Sequence, residues 1–301
     1  NATHGKSPTA REAHAMASLG SGSVVMFGGY DYEFHFRNDT WIFDFNTNQW
    51  WTPTSNTITT PSPTPRAWHA MASLMVGKAL LFGGQDKNRQ SLGDTWIFGL
   101  HLKSLTKMTW MNISPVTCTS PAARFGHAMA SLGNKNVLMF GGLSAGDYNL
   151  ADTWIFDLST NDWTEINLPT SPPARIGHAM ASFGIETAVL FGGMNNNAPF
   201  ADTWLFHRES KNTWKWTLLS TQMAPRQEHA MTAGPLNTVI LFGGQANYQW
   251  GTKVTSTVAN DTWVISNGCP IGYGGVGCAA CPIGTFKDNL NTADCQACPA
   301  K

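Results

Sequence analysis

The chain has 301 residues, enough for one large or two modest domains with a full core. Lys plus Arg and Asp plus Glu each number 19, so the formal net charge is zero, and only 13% of residues are charged. That balance lacks the electrostatic footprint of a nucleic-acid or acidic-lipid binder, and no apolar run is long enough to cross a bilayer as a helix. The numbering opens at Asn1 without a signal peptide, as expected of a processed or excerpted chain.

In chain order, the first landmark is an arginine three residues ahead of a histidine, and it occurs five times. The pairs are Arg11 and His14, Arg66 and His69, Arg124 and His127, Arg175 and His178, and Arg226 and His229. An apolar run closing on a double glycine follows each pair, at Gly28-Gly29, Gly83-Gly84, Gly141-Gly142, Gly192-Gly193 and Gly243-Gly244. Successive glycine pairs lie 55, 58, 51 and 51 residues apart. Asp-Thr-Trp comes next, beginning at Asp39, Asp94, Asp152, Asp202 and Asp261, and a further Trp follows at Trp50, Trp110, Trp163 and Trp214.

Each copy predicts four short strands, A to D. Strand A is His-Ala-Met-Ala-Ser, whose small residues suit a crowded position. Strand B is the apolar run, and its unbroken hydrophobicity predicts burial on both faces. Strand C alternates large aromatics with Thr, Ile and Asp, and strand D begins at the second Trp. The A–B connections, such as Gly20-Ser21-Gly22, are hairpin-like. Four-stranded units of about fifty residues, repeated in series, are β-propeller blades.

The double glycine, the spaced Trp and the Arg-x-x-His opening resemble the kelch-repeat family over residues 11–266. The fold this implies is an all-β, five-bladed kelch-type β-propeller over residues 1–266, followed by a small disulfide-rich module over 267–301. Blade five has no strand D of its own, and the N-terminal Asn1-Ala-Thr-His4 is in register to complete it. An incomplete blade leaves an edge that invites pairing with another chain.

Five of the six cysteines fall in the last 33 residues. Crowded among Gly and Pro they predict disulfides, with a four-thiolate zinc site on Cys278, Cys281, Cys295 and Cys298 as the rival reading. The run from Cys281-Pro-Ile-Gly-Thr-Phe286 to Cys298-Pro299 resembles the cysteine-rich modules of ephrin-receptor-like ectodomains. That resemblance implies the pairs Cys269–Cys278 and Cys281–Cys295, leaving Cys118 and Cys298 unassigned, and a longer parent protein. Four Asn-x-Ser/Thr sequons, at Asn1, Asn38, Asn112 and Asn260, add to the expectation of a secreted or surface-displayed chain.

Two groups of residues are candidates for function. The five Arg/His pairs enter strand A from the D–A loops and ring one end of the blades. A ligand is rarely five-fold symmetric, so the expectation is a structural ring, each arginine bonding carbonyls or carboxylates of its own or the next blade, and each histidine buried, hydrogen-bonded and neutral. The B–C loops vary between copies instead, and their aromatics, Tyr30, Tyr32, Phe34, Phe36, Tyr148, Phe200, Tyr248 and Trp250, are candidate contacts for a protein or glycan partner. No metal or cofactor is expected.

The resulting expectation is a non-catalytic extracellular interaction or scaffold protein, with self-association into a fibre as one route of assembly. A carbohydrate-active enzyme of mutarotase or oxidase type is the alternative, with Glu12 and Glu228 as its candidate carboxylates. An intracellular kelch adaptor is a third class, against which the tail and sequons weigh.

Overall fold

The computed structural model describes residues 7–52, 61–100, 108–114, 120–195, 198–211, 213–219, 223–235, 237–250 and 253–266, together with the backbone of four two-residue strands between residues 273 and 297. Asn1, the strand expected from residues 1–4, Cys118 and the five tail cysteines lie outside the described residues. So does the boundary expected at 266/267.

The chain forms two compact units, residues 1–167 and 168–301. The first holds three four-stranded antiparallel meanders, each in simple A-B-C-D order. Blade one is Ala15–Gly20, Ser23–Phe27, Thr40–Asp44 and Gln49–Trp51. Blade two is Ala70–Met75, Lys78–Phe82, Thr95–Leu100 and Met108–Asn112. Blade three is Ala128–Gly133, Asn136–Phe140, Thr153–Asp157 and Asp162–Glu165. The second unit holds blade four, Ala179–Ser182, Thr187–Phe191, Thr203–Ser210 and Thr213–Leu219, and blade five, Ala230–Gly234, Thr238–Phe242 and Thr262–Ser266.

Strand B shows why its sequence is apolar at every position. In blade two, Leu81 packs toward blade one in a cluster with Val25, Phe27 and Trp110. Its neighbours Leu80 and Phe82 point the other way, into a cluster with Val137, Met139 and Trp163 of blade three. All three are fully buried, and each such side chain contributes about 1.5–3 kcal/mol. A strand between two blades has no solvent face, so the usual alternation disappears.

The double glycine marks the closest approach of two blades. Gly28 and Gly29 have φ of 67° and 85°. A Cβ on Gly28 would lie 2.6 Å from the Arg66 carbonyl of the next blade, and one on Gly29 would lie 2.6 Å from the Glu12 carbonyl. Relieved of side chains, Gly29 N–H donates to the Arg66 carbonyl at 2.9 Å. Gly84 to Arg124 (2.9 Å) and Gly193 to Arg226 (2.8 Å) repeat this bond between blades.

Two details differ from the expected repeat. The interior Trp of strand D in blade four is Trp216, opposite Phe206 as Trp110 is opposite Phe98, and not Trp214. Blade four extends its C–D hairpin outward, so Trp214 sits two residues nearer the turn, stacked on Phe206 at 4.9 Å and beneath Arg208. In blade five, expected to have no strand D of its own, the outer side of strand C pairs at Ile265 with Ala279 of the tail strand Ala279–Ala280.

Candidate functional site

The five arginines share one geometry. Arg66 Nη1 donates to the Gly83 carbonyl at 3.0 Å and to Asp94 Oδ1 at 2.6 Å, and Nη2 donates to Asp94 Oδ2 at 2.8 Å. Nε is taken by the Thr64 carbonyl at 3.0 Å. Arg11 with Asp39, Arg124 with Asp152, Arg175 with Asp202 and Arg226 with Asp261 repeat the bidentate fork. Their side chains are 0–3% exposed. The Trp of each Asp-Thr-Trp donates its indole N–H to Oδ2 of the same Asp, for example Trp96 to Asp94 at 2.6 Å. Asp therefore starts the motif because one carboxylate must accept a guanidinium fork and an indole together.

Asp39, Asp94, Asp152 and Asp261 are held ionised. Burial would raise Asp39, Asp94 and Asp152, but the hydrogen bonds and charge of the paired arginine, with the indole donor, outweigh it and bring each below the usual carboxylate range. Asp261 falls to about 2, chiefly through Arg226. The arginines thus spend their donors inside the blades. Glu12 and Glu228, the carboxylates of the enzyme alternative, are exposed, while the adjoining Arg11 and Arg226 are turned into Asp39 and Asp261.

Four of the five histidines, His69, His127, His178 and His229, are buried as well, and His14 is half-buried. His69 lies edge-on to Phe27 of the preceding blade, with ring centroids 5.7 Å apart, and His229 lies on Phe191 in the same way at 5.3 Å. Burial, then the charge of Arg66 or Arg226, lowers each to about 3. The Phe27 and Phe191 carbonyls pull weakly the other way, and no hydrogen bond of good geometry reaches a ring nitrogen of His69 or His229. Hydrogen bonding was expected to hold these rings. His69 and His229 also pack edge-on against the phenyl ring that strand B of the preceding blade presents there.

The variable loops separate the candidate contacts into three kinds. Tyr32, Phe34 and Tyr148 project into solvent, 86%, 70% and 74% exposed. Tyr30 does not: it is buried between Phe34 and Phe36, each stacked at 5.5 Å, and Trp68 at 4.9 Å. Phe36 is half-buried in the same stack, and Phe200 is half-buried with its ring 4.1 Å from the Arg175 guanidinium, which it covers. Tyr30 and Phe200 are packing residues because the sheet ends and the buried guanidinium need an apolar cover. The backbone of Tyr248 and Trp250 forms a hairpin, Gln245–Trp250 with Lys253–Val258; their side chains lie outside the described residues.

Asp31 shapes the first loop. Its Oδ1 accepts the backbone N–H of Glu33 and His35, both at 3.0 Å, and Oδ2 accepts from Arg37. These bonds, the His35 amide first, bring its carboxyl to about 2. Asp86 makes the same turn in blade two, accepting from Asn88 and Gln90. Sequence reading passed over Asp31, Trp68 and Phe125, which extends the aromatic row at 6.3 Å from Trp68. A signal was present for Trp68. The residue before each His has positive φ, at Ala13, Trp68, Gly126, Gly177 and Glu228, and a Trp where two copies carry Gly breaks the repeat. This position also links blades: Trp68 N–H donates to Ala13 O, Gly126 N–H to Trp68 O, and Glu228 N–H to Gly177 O, at 2.8–2.9 Å.

The family model described as the KLHDC2/KLHL20/DRC7 Kelch-repeats domain matches residues 1–116 and 99–267. An F-box/kelch-repeat protein of Arabidopsis thaliana is 24% identical over 256 residues, which is 80% of this chain and 53% of the relative. Kelch domain-containing protein 1 of Mus musculus is 30% identical over 203 residues, 60% of this chain and 47% of the relative. Tip elongation aberrant protein 1 of Schizosaccharomyces pombe is 31% identical over 208 residues, 65% and 17% respectively. The chain therefore spans about half the length of these relatives, or less. A solved structure titled "Structure of YjhT" matches with a TM-score of 0.63 at 14% identity, over 85% of this chain and 81% of that one. The likeness shows the all-β propeller fold, here with five blades.

Proposed function

Because the chain belongs to the kelch-repeat family, we propose that it is a non-catalytic protein-interaction module whose contact surface is the B–C loop side of blades one to three. One observation carries the reading. Within a single loop, Tyr32 and Phe34 stand 86% and 70% exposed above Tyr30, which is 8% exposed. Rings held out by a packed aromatic base and an Asx turn lose little freedom on binding, which is what makes an aromatic an effective anchor. Tyr148 presents a third such ring from blade three. Kelch propellers generally bind protein partners, which favours a polypeptide over a glycan.

The setting we propose is extracellular. It is supported by the cysteine-rich tail and by the exposure of Asn38, Asn112 and Asn260 in their sequons. Two experiments test the proposal. A Tyr32→Ser/Phe34→Ser/Tyr148→Ser variant that melts like the parent should lose the proteins captured by the parent in quantitative affinity capture; retention of every one sinks the loop-face reading. Expression through a secretory pathway should give protein whose mass falls on enzymatic deglycosylation, and unglycosylated, reduced protein in the native source sinks the setting.

A further inference from the structure

Backbone strain in the first unit collects around one side chain. Thirteen described residues other than glycine have φ in the left-handed region, and apart from Ala13 most are polar or charged residues of turns. Two are aromatic, Phe34 at 60° and Trp68 at 54°, and a bulky residue in this region is an outlier. Both flank Tyr30: the Phe34 ring lies 5.5 Å from it and the Trp68 ring 4.9 Å. The repeat forces neither. Gly126 stands in the place of Trp68 in blade three, and Arg89 takes the place of Phe34 in the matching turn of blade two. Such strain persists where the surrounding structure over-determines it, and it gathers at ligand clamps.

Trp68 is fixed from both sides. Its N–H donates to the Ala13 carbonyl of blade one and its carbonyl accepts from Gly126 of blade three, at 2.9 Å each. The ring is half-buried, so part of it faces solvent. Charge around it is ordered. On the blade one side, Glu12, bridged to Tyr30, and Glu33, which accepts the Tyr32 hydroxyl, are exposed, while Arg37 is turned onto Asp31. On the blade two side, Lys87 and Arg89 are exposed, and the Asp86 carboxylate is occupied by the amides of Asn88 and Gln90. Ala67, beside Trp68, is bridged to Gln85 at the start of that second loop, so Trp68 stands between an acidic loop and a basic one.

We infer that Trp68 is the specificity-determining anchor of the contact face. Its partner is a polypeptide segment that lays an apolar or aromatic side chain on the Trp68 ring, with basic residues toward blade one and acidic residues toward blade two. A ring fixed by its own backbone bonds and by Tyr30 keeps its position before the partner arrives, so little freedom is lost on binding. Opposite charges on the two loops give the incoming segment one orientation. This inference rests on the loop-face reading and adds to it the central residue and the chemistry of the partner.

The test selects random phage-displayed peptides on the immobilised full chain and measures the selected peptides on variants. They should share an apolar or aromatic residue with Lys or Arg on one side and Asp or Glu on the other. Trp68→Gly should weaken them by about tenfold or more, the loss expected of a central aromatic anchor, and Trp68→Phe should restore most of the affinity. Trp68→Leu replaces Trp68→Gly if that variant does not fold. Lys87→Glu/Arg89→Glu should weaken the same peptides. Peptides that bind Trp68→Gly like the parent overturn the inference. If the Tyr32→Ser/Phe34→Ser/Tyr148→Ser variant loses those peptides, the loop-face reading stands without Trp68; if it keeps them, both readings fail. Selection of no peptide, or of peptides without the charge order, also overturns the inference.

Discussion

The indole of Trp110, on strand D of blade two, donates a 3.0 Å hydrogen bond to the hydroxyl of Thr40, on strand C of blade one, 70 residues earlier. Both groups are buried. Thr40→Val keeps the shape and removes the acceptor, so the indole N–H is left unsatisfied at a cost of about 1–3 kcal/mol. Urea unfolding of the full chain should show this loss, and Thr262→Val, at the equivalent but exposed position, should change stability by less than about 0.5 kcal/mol. Equal effects at the two sites would show that the bond contributes nothing.

Arg124→Met leaves Asp152 without the cation that keeps it ionised. Breaking a buried pair by removing one partner costs about 3–5 kcal/mol, and with 22% of the Asp152 side chain in solvent the lower end is expected. The double variant Arg124→Met/Asp152→Leu should recover part of the loss, as measured by denaturant midpoints. A single variant as stable as the parent would mean the fork is dispensable.

Acid should unfold the protein in two stages. His69 and His229 have folded values near 3, below the unfolded value of about 6.5, so the unfolded state binds more protons between those limits and stability falls as pH drops below about 6.5. Asp39, Asp94, Asp152 and Asp261 are also lowered, Asp261 to about 2, so their contribution is intact above about pH 4 and is lost as pH falls toward 2. Urea midpoints recorded against pH should show both slopes. His69→Gln should flatten the upper one and leave the lower; an unaltered upper slope would remove His69 from the account.

Neighbouring aromatics in the first loop should behave oppositely. Tyr30→Ala empties a site lined by Phe34, Phe36 and Trp68, and a large aromatic removed from such a site costs about 3 kcal/mol. Tyr32→Ala should leave the melting temperature unchanged, since the ring is 86% exposed.

A gain is expected at Glu228. It is exposed and has φ of 55°, in the left-handed region that favours glycine. Glu228→Gly, matching Gly126 and Gly177 in their copies, should raise stability by about 1 kcal/mol. A loss on thermal or chemical melting would show that the Glu228 side chain makes a contact worth more than the strain.

The repeat was legible in the sequence because its physical demands fall on single residues. A double glycine is needed wherever two backbones meet at Gly28 and Arg66, and an acid must begin Asp-Thr-Trp wherever a guanidinium fork and an indole share one carboxylate. Those demands recur in every blade, so strand type, blade count and the kelch-repeat resemblance could be read without coordinates. Partners could not. Arg66 finds Asp94 in its own blade, while Trp110 finds Thr40 in the blade before, and residue type does not say which. Tyr30 and Tyr32 are the same amino acid two positions apart, yet the Asp31 turn buries one ring and exposes the other. Phe242 and Phe27 occupy the same place in the repeat and differ in burial from 55% to 0%. Local chemistry determines which strand forms; which side of that strand is covered depends on what packs against it, and only the tertiary structure decides that.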